Sequence, residues 1–172
     1  MPPSSVHRGN QGFTLPEVLI IVVVIGILAA VAVPSFLGWY NRQKVNQALT
    51  KVEGALKEAQ REAIKRSRSC TVTLDTNLIT GDCLVTGKRD LCEERDSSGT
   101  CIKPGVELLV ESPNSLSNGN QIQYSFRGNT TNGGTIILAL PDNSSYQKCL
   151  VTSVGIGLLR TGDYENNTCS TQ

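Results

Sequence analysis

Residues 13–36 read FTLPEVLIIVVVIGILAAVAVPSF, and this stretch decides the fold. No charged residue occurs from Val18 to Gly38. A helix needs about 20 apolar residues to cross a bilayer, and this run is long enough. Gly26, Ala29, Ala30 and Ala32 are small positions at which another helix can approach closely. Pro34 has no N–H to donate and crowds the carbonyl of Ala30, so a kink is expected there. Toward the C-terminus the composition changes at Asn41, but the helical period does not. Val45, Ala48, Leu49, Val52, Ala55, Leu56, Ala59, Ala63 and Ile64 recur at steps of three and four, which makes one apolar stripe. Lys44, Lys51, Glu53, Lys57, Glu58, Arg61, Glu62 and Lys65 occupy the other faces. The reading is one continuous helix from about residue 14 to about residue 67. Its first half suits lipid or other helices, and its second half suits a single globular partner.

After Ser67 the pattern turns to short strands. The apolar runs are CTVTL (70–74), CLVT (83–86), VELLVE (106–111), IQYSF (122–126), TIILAL (135–140) and CLVTSVGIGLL (149–159). Between them lie clusters of Gly, Asn, Asp, Ser and Pro, the residues of turns. The expected architecture is α+β: a long N-terminal helix packed on an antiparallel sheet or a small β-sandwich. The charged segment Lys88–Lys103 shows no period and reads as an excursion closed by Cys92 and Cys101.

Composition excludes several function classes. The chain of 172 residues has 16 Lys and Arg against 15 Asp and Glu, which is not the basic footprint of a dedicated nucleic-acid binder. Its one histidine, His7, lies ahead of the structured pattern, which disfavours Ser-His or Cys-His catalysis and histidine-bearing metal sites. The six cysteines, Cys70, Cys83, Cys92, Cys101, Cys149 and Cys169, include no CxxC pair, so zinc ribbons and thioredoxin-like sites are disfavoured too. Confined to a polar region, they read as three disulfides in an oxidising compartment. Apart from the local Cys92–Cys101 bridge, the pairing stays open. The stretch Gly81–Lys88 imitates a phosphate loop but has the wrong glycine spacing, and Arg89 stands where Ser or Thr belongs. No catalytic residue, cofactor or metal ligand set is read from the chain.

The chemistry concentrates at the N-terminus, where MPPSSVHRGNQG runs into FTLPEV. This junction resembles the type IV prepilin signal, with Gly12 before the cut, Phe13 as the new N-terminus and Glu17 as the fifth mature residue. Pro34 then occupies a position at which many pilins carry a proline. Arg8 suits a cytoplasmic leader under the positive-inside rule. Pro16 would disrupt a helix entering from the leader, but after cleavage it lies in the first turn, where N–H groups have no helical partner anyway. Glu17 is a carboxylate at the edge of an apolar helix, costly in hydrocarbon unless it meets a cation. Arg8 leaves with the leader, so Glu17 has no partner of that kind in its own helix. In the family that the junction resembles, the new amine on Phe13 of a neighbouring subunit supplies it. An ordinary secretory signal cut after Ala30-Val31-Ala32 fits less well, because the helical pattern runs straight through that site.

The C-terminal half narrows the resemblance. YSFRGNTTNGGTIILAL, and then CLVTSVGIGLLRTGDY, are similar to the end of the type II secretion pseudopilin H family, which includes FimT-like minor pilins. The resemblance implies a cleaved leader (1–12), a transmembrane half-helix (13–38), an amphipathic half-helix (39–68) and a β-rich globular domain (69–172). It implies a single-pass protein of the bacterial inner membrane, with its globular domain periplasmic until a filament assembles. The implied function is that of a minor pseudopilin or minor pilin subunit, not an enzyme. The implied partners are other pilins, the prepilin peptidase, an inner-membrane assembly platform and membrane lipid. Some FimT-like members bind DNA through a Gly-Arg-x-Arg element. Here Gly157-Leu158-Leu159-Arg160 retains only Arg160, so DNA is the alternative partner and not the favoured one. A local cationic patch would form if Arg127, Lys148 and Arg160 converged on the C-terminal hairpin, but the field around it is negative, so weak or no duplex DNA binding is expected.

Cleavage between Gly12 and Phe13 is directly testable. Intact-mass analysis of the protein from its host is expected to find a chain beginning at methylated Phe13. A chain beginning at Val33 would instead identify a secretory signal.

Overall fold

The computed structural model describes residues 13–111, 120–141 and 146–171, with backbone alone at 31–35, 110 and 111. A helix, α1, spans Leu15–Lys65. The described residues fall into two units, one ending at Trp39 and the other beginning at Tyr40.

In the first unit every described side chain from Phe13 to Ala30 is exposed. The apolar residues here form no stripe, because the sequence is apolar all round. Among the described residues no helix is long and apolar enough to cross a membrane. The span expected over 13–38 depends on residues 31–35, whose side chains lie outside the described ones. Without them the apolar run falls short of the roughly 20 residues that a bilayer requires. The kink expected at Pro34 falls on the same residues. Gly12 and the leader also lie outside the described residues.

The second unit is built on the C-terminal part of α1. Val45, Val52, Ala55, Leu56, Ala59 and Ala63 are all fully buried, as the period of three and four requires. Ile64, read as part of this stripe, is instead half exposed, although Ala63 beside it is fully buried. Among the described residues eleven strands follow, all paired antiparallel. Four of them, β1 (Cys70–Asp75), β2 (Leu78–Gly81), β3 (Lys88–Asp90) and β7 (Gln121–Tyr124), form a sheet of order β3-β2-β1-β7. Five more, β6 (Glu107–Glu111), β8 (Gly134–Ala139), β9 (Lys148–Thr152), β10 (Leu159–Glu165) and β11 (Thr168–Thr171), form a second sheet of order β11-β10-β9-β8-β6. The last two, β4 (Cys92–Arg95) and β5 (Cys101–Pro104), pair only with each other.

Both sheets contribute to one core. Val72, Leu74, Ile79, Ile122 and Tyr124 from the first sheet and Leu108, Ile136, Leu138 and Leu150 from the second meet the α1 stripe. Alternation along β8 sends Ile137 to the other face, where it joins Cys149 and Tyr164 in a small second cluster. A large-to-small change in the main core, such as Leu56→Ala, should cost about 2–5 kcal/mol.

Three disulfides, Cys70–Cys83, Cys92–Cys101 and Cys149–Cys169, close loops of 13, 9 and 20 residues. There is no free cysteine. The Cys92–Cys101 bridge is the local one expected from the chain. In the loop-entropy picture each closure contributes about 2–4 kcal/mol.

The structure departs from the sequence reading in the middle of the chain. CLVT (83–86) is not a strand, whereas Leu78–Gly81 is. The Cys70–Cys83 bridge pins the first residue of CLVT to β1, and the Asp82 carboxylate accepts the Thr71 N–H at 2.8 Å, so the chain turns there. Leu84 is buried while Val85 is 77% exposed. Lys88–Lys103 is likewise not an irregular excursion. It supplies β3 and the β4–β5 hairpin, whose ladder is cross-linked by Cys92–Cys101. Strand β11 was not legible either. It follows a turn in which Asn166 and Asn167 both have positive φ, 52° and 58°, the conformation of a tight two-residue hairpin.

Ion pairs tie the β4–β5 hairpin to its surroundings. Glu93 bridges Lys44 of α1 at 2.5 Å and Lys103 at 3.2 Å. Arg95 grips Asp90 through both carboxylate oxygens, at 2.6 and 2.9 Å. The Lys44 ammonium chiefly, with Lys103, holds the Glu93 carboxyl below its usual range, and Arg95 does the same for Asp90. A depressed folded-state pKa contributes stability above the unfolded value and loses it as pH falls through the folded one. Urea midpoints of the full chain in detergent should therefore be flat from neutrality down to about pH 5 and drop below about pH 4. In the Glu93→Gln, Asp90→Asn double variant, the acid drop should be shallower.

Candidate functional site

The first turn of α1 has a capping box. Thr14 precedes the helix, and its carbonyl accepts from the N–H groups of Glu17 and Val18 at 3.1 and 3.2 Å. The Glu17 carboxylate reaches back to the Thr14 N–H at 3.4 Å and to its hydroxyl at 3.5 Å. Thr14-Leu15-Pro16-Glu17 has the Ser/Thr-x-x-Glu sequence of a capping box, and Glu17 makes its half of that exchange, while the Thr14 hydroxyl turns to the Glu17 carboxylate and the Glu17 N–H to the Thr14 carbonyl. The carboxylate also lies at the positive end of the helix dipole. Glu17 therefore has a local backbone partner that the sequence reading did not give it, although no cation. These contacts are long and exposed, and they leave acceptor capacity free.

At the other end of α1, Gln60 clamps two turns. Its amide donates to the Gly128 carbonyl at 2.8 Å and to the Ile156 carbonyl at 3.2 Å. The first turn, Ser125–Asn129, follows β7, and the second, Ser153–Leu158, joins β9 to β10. Thr130 and Gly155 exchange both backbone hydrogen bonds, at 2.9 and 2.8 Å, and lock the two turns together. Gly157 has φ +65°, and a Cβ on it would sit 3.0 Å from the Gly128 carbonyl oxygen, the Tyr124 ring and the Gln60 amide. A side chain at this position is strained by the backbone conformation and must displace its neighbours slightly.

Of the three cations whose convergence a DNA patch would need, Lys148 is drawn away. Lys148 pairs with Asp163 at 2.6 Å, at the far end of the β9–β10 ladder from Arg160, which lies opposite Val151. Arg127 lies over the Phe126 ring, 5.2 Å from its centre. Neither Arg127 nor Arg160 makes an ion pair among the described residues. Cys70, Asp82 and Cys83 cluster closely enough to suggest a metal site, but the two sulfurs are bonded to each other and have no thiolate to offer. An open groove of about 830 Å³ runs along α1, lined by Lys51, Gly54, Arg61 and the Glu58–Arg89 ion pair among others.

A capped, apolar, exposed helix start joined in one chain to a disulfide-stapled β unit defines a pilin-like protein. Residues 7–33 match the prokaryotic N-terminal methylation motif. Residues 48–155 match the type II transport protein GspH family, and the chain belongs to that family. It is 48% identical over 61 residues to the type IV major pilin protein PilA of Myxococcus xanthus, covering 36% of this chain and 27% of that one. It is 31% identical over 111 residues to a fimbrial protein of Moraxella nonliquefaciens, covering 62% of this chain and 59% of that one. The chain thus spans less than two thirds of either relative. The crystal structure of the type IV minor pilin FimU of Pseudomonas aeruginosa is similar with a TM-score of 0.49 at 13% identity, covering 77% of this chain and 96% of that one.

The clamp can be tested. Gly157→Ala should destabilise the chain by about 1–3 kcal/mol. Gln60→Ala should cost about 1–2 kcal/mol and accelerate amide exchange selectively in 125–130 and 153–158. Equal acceleration over all strands would mean that the clamp is not local.

Proposed function

We propose that this protein is a minor subunit of a type II secretion or type IV pilus filament and acts by assembly, not catalysis. The observation that carries this reading is the exposed apolar helix, Leu15–Leu28, with one carboxylate, Glu17, in its first turn. An apolar surface of that extent calls for lipid or for other helices. In this reading the leader is removed after Gly12, Phe13 becomes the methylated N-terminus, and residues 13–38 anchor the chain in the inner membrane. The domain from residue 69 then lies in the periplasm, in keeping with three disulfides. During assembly the anchor leaves lipid for a bundle of similar helices. Gly26, Ala29 and Ala30 allow close packing there, and Pro34 relieves the helix ladder near its end. Glu17 would pair with the Phe13 amine of a neighbouring subunit, because a carboxylate entering such a bundle is tolerated only beside a cation. The prepilin peptidase and an assembly platform are the partners that this route requires. DNA uptake is the weaker reading, because Lys148 is drawn off by Asp163 and the Gly157–Arg160 element keeps a single arginine, too little clustered charge for a phosphate-binding surface.

The capping box offers Glu17 a second role, and the two roles separate by substitution. Glutamine serves in a capping box as well as glutamate does, but it carries no charge. Glu17→Gln and Glu17→Ala are both expected to insert and be processed normally. Both should then enter sheared filaments at a level lower on the order of a hundredfold, as loss of an ion pair in an apolar bundle implies. Normal incorporation of the glutamine variant would reduce Glu17 to a helix cap.

A further inference from the structure

The end of the globular unit that carries the α1 C-terminus exposes apolar side chains that its core does not use. Val154 and Ile156 project from the β9–β10 turn with 66% and 69% of their surface exposed. Leu158, in the same turn, Phe126 in the neighbouring turn and Ile64 on α1 are also exposed. Ile64 belongs to this cluster, because its Cδ1 lies 2.9 Å from where a Cβ on Gly128 would stand. The apolar side chains are held out on a braced support. Ser153 N–H bonds to the Leu158 carbonyl at 2.9 Å, and Gln60 and Thr130 fix the turns from beneath.

The charge around them has one sign. Segments 125–133 and 150–162 contain no carboxylate, but they contain Arg127 and Arg160. Along α1 and its exit, Arg61, Lys65, Arg66 and Arg68 flank Ile64, with Glu62 the single acid in that run. Glu62 is engaged by Arg66 at 2.7 Å and Lys65 at 3.4 Å. Asp82 comes near Arg68 only through its carbonyl, at 3.3 Å, while its carboxylate is held by Thr71 N–H. Arg127 and Arg160 beside the apolar tip, like Arg61 and Arg68 on α1 and its exit, make no ion pair among the described residues.

We propose that this tip docks onto an anionic lipid surface. Val154, Ile156, Leu158 and Phe126 would enter the boundary between headgroups and acyl chains, and Arg127 and Arg160 would meet lipid phosphates. Such a surface rewards apolar burial and positive charge together. Nucleic acid would use the arginines but gain little from aliphatic side chains, since phosphates and base edges are polar and only one aromatic platform is present. The contact is separate from the N-terminal anchor and does not depend on filament assembly.

The test uses the full chain reconstituted into phosphatidylcholine nanodiscs with labelled scaffold protein, mixed with vesicles and floated. Scaffold should float with phosphatidylglycerol-containing vesicles and stay behind with pure phosphatidylcholine vesicles. Arg127→Gln and Arg160→Gln should each weaken recovery about fivefold. The Val154→Ser, Ile156→Ser double variant should reduce it to the neutral-vesicle level, whereas Ile156→Leu should leave it intact. Equal recovery on both vesicle types, or none on either, would overturn the proposal. So would recovery that survives the serine variant while duplex DNA competes it away, since that assigns the tip to nucleic acid. Association of loaded discs with each other in the absence of vesicles would assign it to a second copy of this chain.

Discussion

The structure of the globular unit depends on one packing constraint: the alanine-rich stripe of α1 must be covered. Val45, Val52, Ala55, Leu56, Ala59 and Ala63 lose all their exposure, and five of these six positions are alanine or valine. Small side chains let the sheets approach the helix backbone closely. The larger residues that fill the space, such as Leu74, Ile79, Ile122, Tyr124, Leu138 and Leu150, come from the strands. Both sheets share that one partner, so neither has an independent core. Such a division of volume suits a helix whose other end has different requirements, because the apolar pattern toward the sheets stops before the apolar run toward lipid or neighbours begins.

The periphery is held by other means. The β4–β5 hairpin buries little, and a two-stranded ribbon is at best marginal in water. It is retained by Cys92–Cys101, by Asp90–Arg95 and by the Lys44–Glu93–Lys103 bridge to α1. At the opposite edge of the second sheet, β11 is fastened by Cys149–Cys169 over the Ile137–Tyr164 cluster. Cys92–Cys101 and Cys149–Cys169 thus lie away from the main core, whereas Cys70–Cys83 is buried within it.

The two ends of α1 illustrate how one helix serves two purposes. Its start is closed by the Thr14–Glu17 capping box, which satisfies local backbone groups without masking the apolar surface. Its last turns carry Gln60, whose single amide holds two turns of the β unit in place. Membership of the GspH family and the methylation motif bring the two halves under one reading, that of a pilin-like subunit. Within that reading the turn from Ser153 to Leu158 stands out by its exposed Val154, Ile156 and Leu158, with Arg160 just beyond it.

The amino-acid sequence by itself determined the helix, its register and the number of disulfides. Those signals are local or compositional: a period of three and four from Val45 to Ala63, an uncharged run from Val18 to Gly38, and cysteines confined to a polar region. Strands with a local signal, such as the alternating 70–75 and the continuous apolar run at 134–139, were legible for the same reason. Only tertiary structure decided that Leu78–Gly81 pairs while Cys83–Thr86 turns, because the outcome rests on a covalent bridge to Cys70 and on Ile79 finding the core. It decided that charged Lys88–Lys103 is a ladder, since that ladder is held by ion pairs with α1 and not by apolar alternation. It also separated Lys148 from Arg160, two cations close in sequence, by engaging one with Asp163 across the sheet. Pairings between residues distant along the chain leave no periodic trace in it, and they are what fix this protein's surface.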